Sequence, residues 1–426
     1  ATVDVLHALI ERVGNQGVRT FGELRRYRAH IPNALRHKRI LAADMPHAPG
    51  VYLFRGPGGE VLYVGTAVNL HRRVQQYFTG ADPRSRMREM VTIATTVDHV
   101  CCAHPLEAAV RELRLLGAHA PAYNRKSRFP HKWWWVVLTD EPFPRFAVVP
   151  KTNGRVFLGP FRARTEASTA ASTLAKFTGV RTCTGRIRMS GTHGPACDGQ
   201  TYPHDTTTPC PTPAGINSAT YRATLALALA VIAGTNGQPL HMMCNRIAEL
   251  AEQRRYETAA RQRDAVATLI ETLARQHRLH ALARLDELVA ARPDSQGGWQ
   301  IAVIRHGQLA GAAVAQFRVP PMPVVDAATR SAQVILPTEA PFGGAAPEEI
   351  ALIVRWLSSP GVRIVRSTSG YAEAAGCSGQ LRQWAATARS ARIATNVGEN
   401  DWTGAGLLAP EHPTRCLASR SGRIPV

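Results

Sequence analysis

Two short motifs, Gly50-Val51-Tyr52 and Tyr63-Val64-Gly65, flank the run Arg55-Gly56-Pro57-Gly58-Gly59-Glu60. Together they leave this part of the chain little choice but a pair of adjacent strands. The consecutive glycines supply the positive φ angles of a tight reversal, an expectation placed on Gly58 and Gly59. Alternation puts Tyr52 and Phe54 on one face of the first strand and Val51 and Leu53 on the other. It separates Tyr63 from Leu62 and Val64 in the same way. Both phenols can then share one face.

Beyond the hairpin, Leu70, Val74 and Tyr77 recur at helical spacing within residues 66–78, flanked by His71, Arg72 and Arg73. Leu106, Val110, Leu113 and Leu116 give a second apolar stripe with Glu112 on its border, on the side of Ala109 and Leu116. A carboxylate there can point back at the sheet. Pro121-Ala122-Tyr123-Asn124 reads as a loop that ends this helix. Taken singly, each residue has a plainer reading: strand tyrosines pack, helix arginines are solvated, and Glu112 beside Arg111 and Arg114 forms a surface ion pair.

Taken in order, these elements resemble the GIY-YIG nuclease superfamily, and most closely its UvrC-like members of nucleotide excision repair. The resemblance implies a small α/β nuclease domain in which Glu112 holds one Mg²⁺ or Mn²⁺ ion and waters and phosphate oxygen fill the other positions. It makes Tyr63 the water-activating phenol, Tyr52 a group that positions that water, Arg73 a clamp on the scissile phosphate, and Tyr77 and Asn124 supporting groups. Where the family commonly has a lysine after the second motif this chain has Thr66, so either His71 or Arg72 compensates for the missing positive charge or the activity is slower.

The totals agree with a polyanion partner. Lys and Arg number 51 against 31 Asp and Glu among 426 residues, a formal net charge of +20. An excess of that size and sign points to nucleic acid. No apolar run has the length of a bilayer span, Leu225 to Ala233 being the longest tempting stretch, and no leader pattern opens the chain. The expectation is a cytoplasmic protein with no membrane partner.

The fold class expected is α/β multidomain: a nuclease domain, a β-rich linker region, a helical hairpin resembling the UVR motif, and a small α/β C-terminal domain. Residues 1–20 resemble the last helix of a DEDD-type proofreading exonuclease whose metal-binding motifs are absent here, so no exonuclease activity is expected. Residues 21–45 form a basic linker with Arg25, Arg26, Lys38 and Arg39 as candidate phosphate contacts. Residues 46–128 are the nuclease domain. Residues 129–215 carry strands around Trp133-Trp134-Trp135, residues 143–149 and residues 154–161, then a loop with Cys183, Cys197 and Cys210. UvrC proteins have a four-cysteine segment there. With the closely spaced final pair missing, an iron-sulfur cluster or zinc is not expected.

Residues 216–280 hold the UVR-like hairpin, broken at Arg254-Arg255-Tyr256, in which Tyr256, Glu257, Ala259, Ala260, Arg263 and Asp264 are candidate contacts to a UvrB-like partner. Residues 281–395 lack the carboxylates an RNase H-like second nuclease needs, there being no acid between Gly297 and Val325. Residues 396–426 are expected to be a loose tail. The function expected is a DNA-repair endonuclease with one metal-dependent cut site, by resemblance the 3′ one. The alternatives are a non-catalytic adaptor binding DNA and a UvrB-like protein, and the C-terminal targeting part of a proofreading or repair exonuclease.

Overall fold

The computed structural model describes residues 3, 4, 7, 8, 10, 11, 20, 37–79, 84–124, 133–152, 157–189, 217–371 and 376–398. Its first unit contains β1 (Gly50–Arg55), β2 (Val61–Ala67), α1 (Leu70–Tyr77), α2 (Ser85–Ile93), β3 (Thr96–Cys101) and α3 (Pro105–His119). The sheet order is β2-β1-β3, antiparallel throughout. Gly56 N–H donates to the Glu60 carbonyl at 2.9 Å, closing the reversal. Only Gly59 takes a positive φ, of 79°, so Gly58 does not share that duty as expected. The register passes from Phe54↔Tyr63 to Arg55↔Val61. This bulge leaves Leu62 unpaired and turns it into the same cluster as Tyr52 and Phe54, against strict alternation.

The motif glycines are clearances. A Cβ on Gly65 would stand 2.5 Å from the Tyr52 hydroxyl oxygen, and one on Gly50 would stand 2.3 Å from the Val100 carbonyl. The side chain of Asn69 accepts the Arg72 N–H, so the helix starts at Leu70 and not at Thr66. Leu70, Val74 and Tyr77 then close over Tyr52 and Phe54, each buried side chain contributing about 1.5–3 kcal/mol. Lys38 donates its ammonium to the carbonyls of Val91 (3.3 Å), Thr92 and Ala94 (2.6 Å) at the end of α2. It is a helix cap, which corrects its expected place among the phosphate contacts.

α3 presents two stripes where the sequence suggests one. Ala108 and Leu116 face Val51, Leu53 and Val64 of the sheet. Leu106 and Val110 belong instead to a core shared with the C-terminal part of the chain.

A second sheet, ordered β5-β4-β6, follows with β4 (Trp134–Leu138), β5 (Phe146–Val149) and β6 (Phe157–Phe161), backed by α4 (Arg164–Thr178). The three expected strands are therefore present, the second shorter than anticipated, while residues 154–156 of the third lie outside the described residues. Next come α5 (Ser218–Ala233), α6 (Gln238–Glu252) and α7 (Tyr256–Ala283). The break at Arg254 and Arg255 falls where expected, but α7 runs 28 residues and crosses the boundary drawn at 280. Its Gln276 exchanges hydrogen bonds with Gly159 N–H and the Phe157 carbonyl, both at 2.9 Å, fixing β6 to the rod.

The last sheet is ordered β10-β7-β8-β9, with β7 (Leu288–Pro293), β8 (Trp299–Arg305), β9 (Gln308–Ala315) and β10 (Arg363–Ser367). Helices at Pro321–Ser331 (α8), Pro347–Leu357 (α9) and Arg382–Gly398 (α10) accompany it, with a single turn at Cys377–Gln380 before the last. α10 continues into the segment expected to be tail. Among the described residues no single helix is long and apolar enough to cross a membrane; α5 and α6 pass by composition only as a pair bent by 88°.

Candidate active site

Three phenols meet over β1 and β2. Tyr52, Tyr63 and Tyr77 have ring centroids 5.9 to 6.2 Å apart, and the Tyr52 and Tyr77 hydroxyls share a 2.9 Å hydrogen bond. Tyr52 is almost fully buried and Tyr63 half-buried. Burial, and then the neighbouring Tyr63, push the Tyr52 phenol up to about 12, against the Tyr77 hydrogen bond and the Arg73 charge. Burial also pushes Tyr63 well above the usual phenol range, with Tyr77 and Glu112 adding to it and Arg84 opposing. None of the three is ionised at neutral pH without additional positive charge.

Arg73 lies over the Tyr77 ring at 5.1 Å and holds Gln76 Oε1 at 3.0 Å. Glu112 is half-buried, and burial pushes its carboxyl above the ordinary carboxylate range. Its two neighbouring arginines are occupied elsewhere: Arg111 pairs with Glu107 at 2.9 Å and Arg114 with Glu349 at 2.7 Å. The surface ion pair that Arg111 and Arg114 suggest for Glu112 is therefore not formed. What results is a carboxylate acting on a phenol cluster, with the Arg73 guanidinium over one of the rings. That donor set suits one hard divalent cation completed by water and phosphate.

Sequence reasoning missed Arg84. It is exposed at the N-cap of α2, a helix tied to the closing loop by Arg86, which donates to the Ala122 carbonyl at 2.5 Å and lies 5.1 Å over the Tyr123 ring. Tyr123 N–H in turn donates to the Leu62 carbonyl at 3.0 Å, next to Tyr63. The basic run Arg84, Arg86, Arg88 was the available signal. His71 Nδ1 meets the Met45 carbonyl at 3.1 Å and Nε2 meets Gln75 at 2.7 Å. Arg72 is exposed beside its cap, as is Arg39 in its turn. Arg25 and Arg26 lie outside the described residues.

Asn124 sits on the outer edge of β2. Its Oδ1 accepts Val64 N–H at 2.9 Å and its Nδ2 donates to the Val64 carbonyl at 2.8 Å. Asn124→Ala is expected to leave both buried backbone groups unpaired and to cost about 2–4 kcal/mol of stability, read by urea unfolding.

The UVR-like residues divide. Tyr256 is 64% exposed and Glu257 is exposed beside it, whereas Ala259 is buried and Ala260 half-buried. Arg263 pairs with Asp264 at 2.8 Å, and Arg392 of α10 reaches Asp264 at 3.9 Å. Cys183 accepts from Arg181 at 3.2 Å; Cys197 and Cys210 lie outside the described residues.

This sheet, phenol cluster and lone carboxylate define a class: residues 48–125 match the UvrC-like GIY-YIG domain family, and the chain carries a GIY-YIG endonuclease domain. Over 420 residues it is 55% identical to a Mycobacterium tuberculosis protein provisionally named a bifunctional exonuclease/endonuclease, covering 97% of this chain and 64% of that one. It is 32% identical over 235 residues to UvrABC system protein C of Syntrophus aciditrophicus, covering 54% of this chain and 37% of that one. The chain thus spans under two thirds of either relative. The magnesium-bound N-terminal endonuclease domain of Thermotoga maritima UvrC is 25% identical, covering 21% of this chain and 97% of that structure, with a TM-score of 0.20.

Proposed function

We propose that this chain is a UvrC-type DNA endonuclease of nucleotide excision repair, cutting one phosphodiester on the 3′ side of a lesion with Mg²⁺ or Mn²⁺. The observation that carries this reading is Glu112, half-buried, without a described protein partner, and close enough to Tyr63 to raise its pKa. The residues present fit the ion. Glu112 would hold it, and when bound it supplies Lewis-acid polarisation of the phosphate. Tyr63 takes the proton of the attacking water. Tyr52, fixed by Tyr77, orients that water. Arg73 holds the scissile phosphate and offsets its developing charge.

Arg84 supplies the cation that Thr66 does not. Its charge favours the Tyr63 phenolate, so removing it raises the Tyr63 pKa and moves the rising limb of the pH–rate profile to higher pH. Arg84→Ala is expected to slow nicking roughly three- to tenfold at neutral pH, checked by rates between pH 6 and 9.

The test of the function is nicking of a labelled duplex carrying one bulky adduct, with Mg²⁺ or Mn²⁺, with and without a UvrB-like loader. A single metal-dependent product on the 3′ side is expected. Cuts on both sides would require a second centre, and DNA binding without any cut would leave the adaptor reading. Exposed Tyr256 and Glu257 support contact with a UvrB-like partner. A second reading, that the chain targets an exonuclease carried on the same polypeptide, is supported by the name and greater length of the Mycobacterium relative.

A further inference from the structure

The strands of the C-terminal sheet, β7, β8, β9 and β10, carry not one Asp or Glu. Yet this unit grips the helix that carries Glu112. Arg114 Nε and Nη2 fork onto the two carboxylate oxygens of Glu349 at 3.1 and 2.7 Å, and Nη2 also reaches the Leu309 carbonyl at 3.1 Å. Glu349 is only 3% exposed and accepts Leu309 N–H at 2.8 Å. At the other end of α3, buried His104 donates from Nε2 to the Ile301 carbonyl at 2.8 Å and stacks on Trp356. Leu106 and Val110, two turns and one turn before Arg114 on the same face, lie in one core with Leu282, Ile350 and Ile353.

We infer that the C-terminal α/β domain is a positioning platform for the nuclease centre, with Arg114 and Glu349 the positioning residues that set the roll of α3 and hence the aim of Glu112. The inference rests on the nuclease reading above. Residues 106, 110 and 114 form one face of α3, and residues 108, 112 and 116 form the opposite one, because two residues turn a helix through about 200°. A roll of about 20° carries a carboxylate about 6 Å from the axis through roughly 2 Å. Displacements of about 1 Å already cost large factors in rate. A two-pronged ion pair on a buried carboxylate resists that roll in a way apolar contacts alone do not, since breaking it leaves the buried Glu349 charge uncompensated, although the Arg114 side chain itself is 41% exposed.

The experiment uses the full chain with Arg114→Met, Arg114→Lys and Glu349→Gln. It reads Mn²⁺ affinity by electron paramagnetic resonance, the Mg²⁺ concentration for half-maximal nicking, and amide exchange across 106–119. Arg114→Met is expected to weaken Mn²⁺ binding and raise the Mg²⁺ requirement roughly tenfold, with faster exchange in α3 and an unchanged circular dichroism spectrum. Arg114→Lys, which keeps the charge, recovers part of the loss. Glu349→Gln keeps an acceptor for Leu309 N–H, so it guards against simple misfolding and is expected to act in the same direction. Faster exchange with unaltered Mn²⁺ affinity and Mg²⁺ requirement overturns the inference while leaving the nuclease reading intact. A parent chain that neither nicks nor binds Mn²⁺ through Glu112 overturns both.

Discussion

Glu112→Gln is expected to abolish metal-dependent nicking and, in the absence of divalent ions at neutral pH, to raise the temperature of unfolding. If Glu112 holds the metal as proposed, its loss removes several kcal/mol of transition-state stabilisation, roughly a hundred- to ten-thousandfold in rate. The stability gain follows from burial, which pushes the Glu112 carboxyl upward. A carboxyl whose folded pKa exceeds its unfolded value favours the fold below the unfolded value, and that contribution is lost as pH rises through the folded one. At neutral pH the parent therefore keeps an unfavourable buried charge, and glutamine removes it. The difference should vanish in acid, where the parent is protonated, and shrink with added Mg²⁺, which binds only the parent's carboxylate. Calorimetry at pH 4 and pH 7.5, with and without Mg²⁺, beside a nicking assay, checks both halves. An equal melting temperature at pH 7.5 without metal would mean that Glu112 is better solvated than its place on α3 implies.

The parts of the fold that were legible in the sequence are those whose signal is local. The hairpin announced itself because a reversal needs glycine and its flanks alternate, and α1 because Leu70, Val74 and Tyr77 repeat at helical spacing. The bulge at Leu62 was hidden, since it arises from pairing across the sheet and not from any residue near it. β3 was missed because most of its residues are exposed and give no apolar alternation. α3 was read with one stripe because its second partner lies more than 150 residues away. The same distance effect hid the fates of Arg114 and Lys38. Their charges suggested a local ion pair and a phosphate contact, but their partners come from elsewhere in the fold. For the candidate site, residue types and order named the phenols, Arg73 and Glu112, whereas Arg84 is brought near Tyr63 by tertiary structure alone.

Tyr63→Phe is expected to reduce nicking roughly a hundred- to ten-thousandfold while barely changing stability, the combination that separates a proton acceptor from a packing residue. The three phenols are chemically alike, so their surroundings must decide their work. Tyr52 is 1% exposed and its hydroxyl is committed to Tyr77. Removing either hydroxyl breaks that bond, so Tyr52→Phe and Tyr77→Phe should each cost about 1 kcal/mol of stability and lower activity less than Tyr63→Phe does. Tyr63 is more exposed and feels both Glu112 and Arg84, which is why the proposed function gives it the water's proton. Its pKa lies well above neutrality in the metal-free protein, so the rate should climb with pH until the bound cation and Arg84 have made the phenolate accessible. Side-by-side nicking rates and unfolding midpoints for the three phenylalanine variants test this ordering. If Tyr52→Phe proved the more damaging to catalysis at equal stability, the proton would leave the water through Tyr52, and the Tyr52–Tyr77 hydrogen bond would be its path.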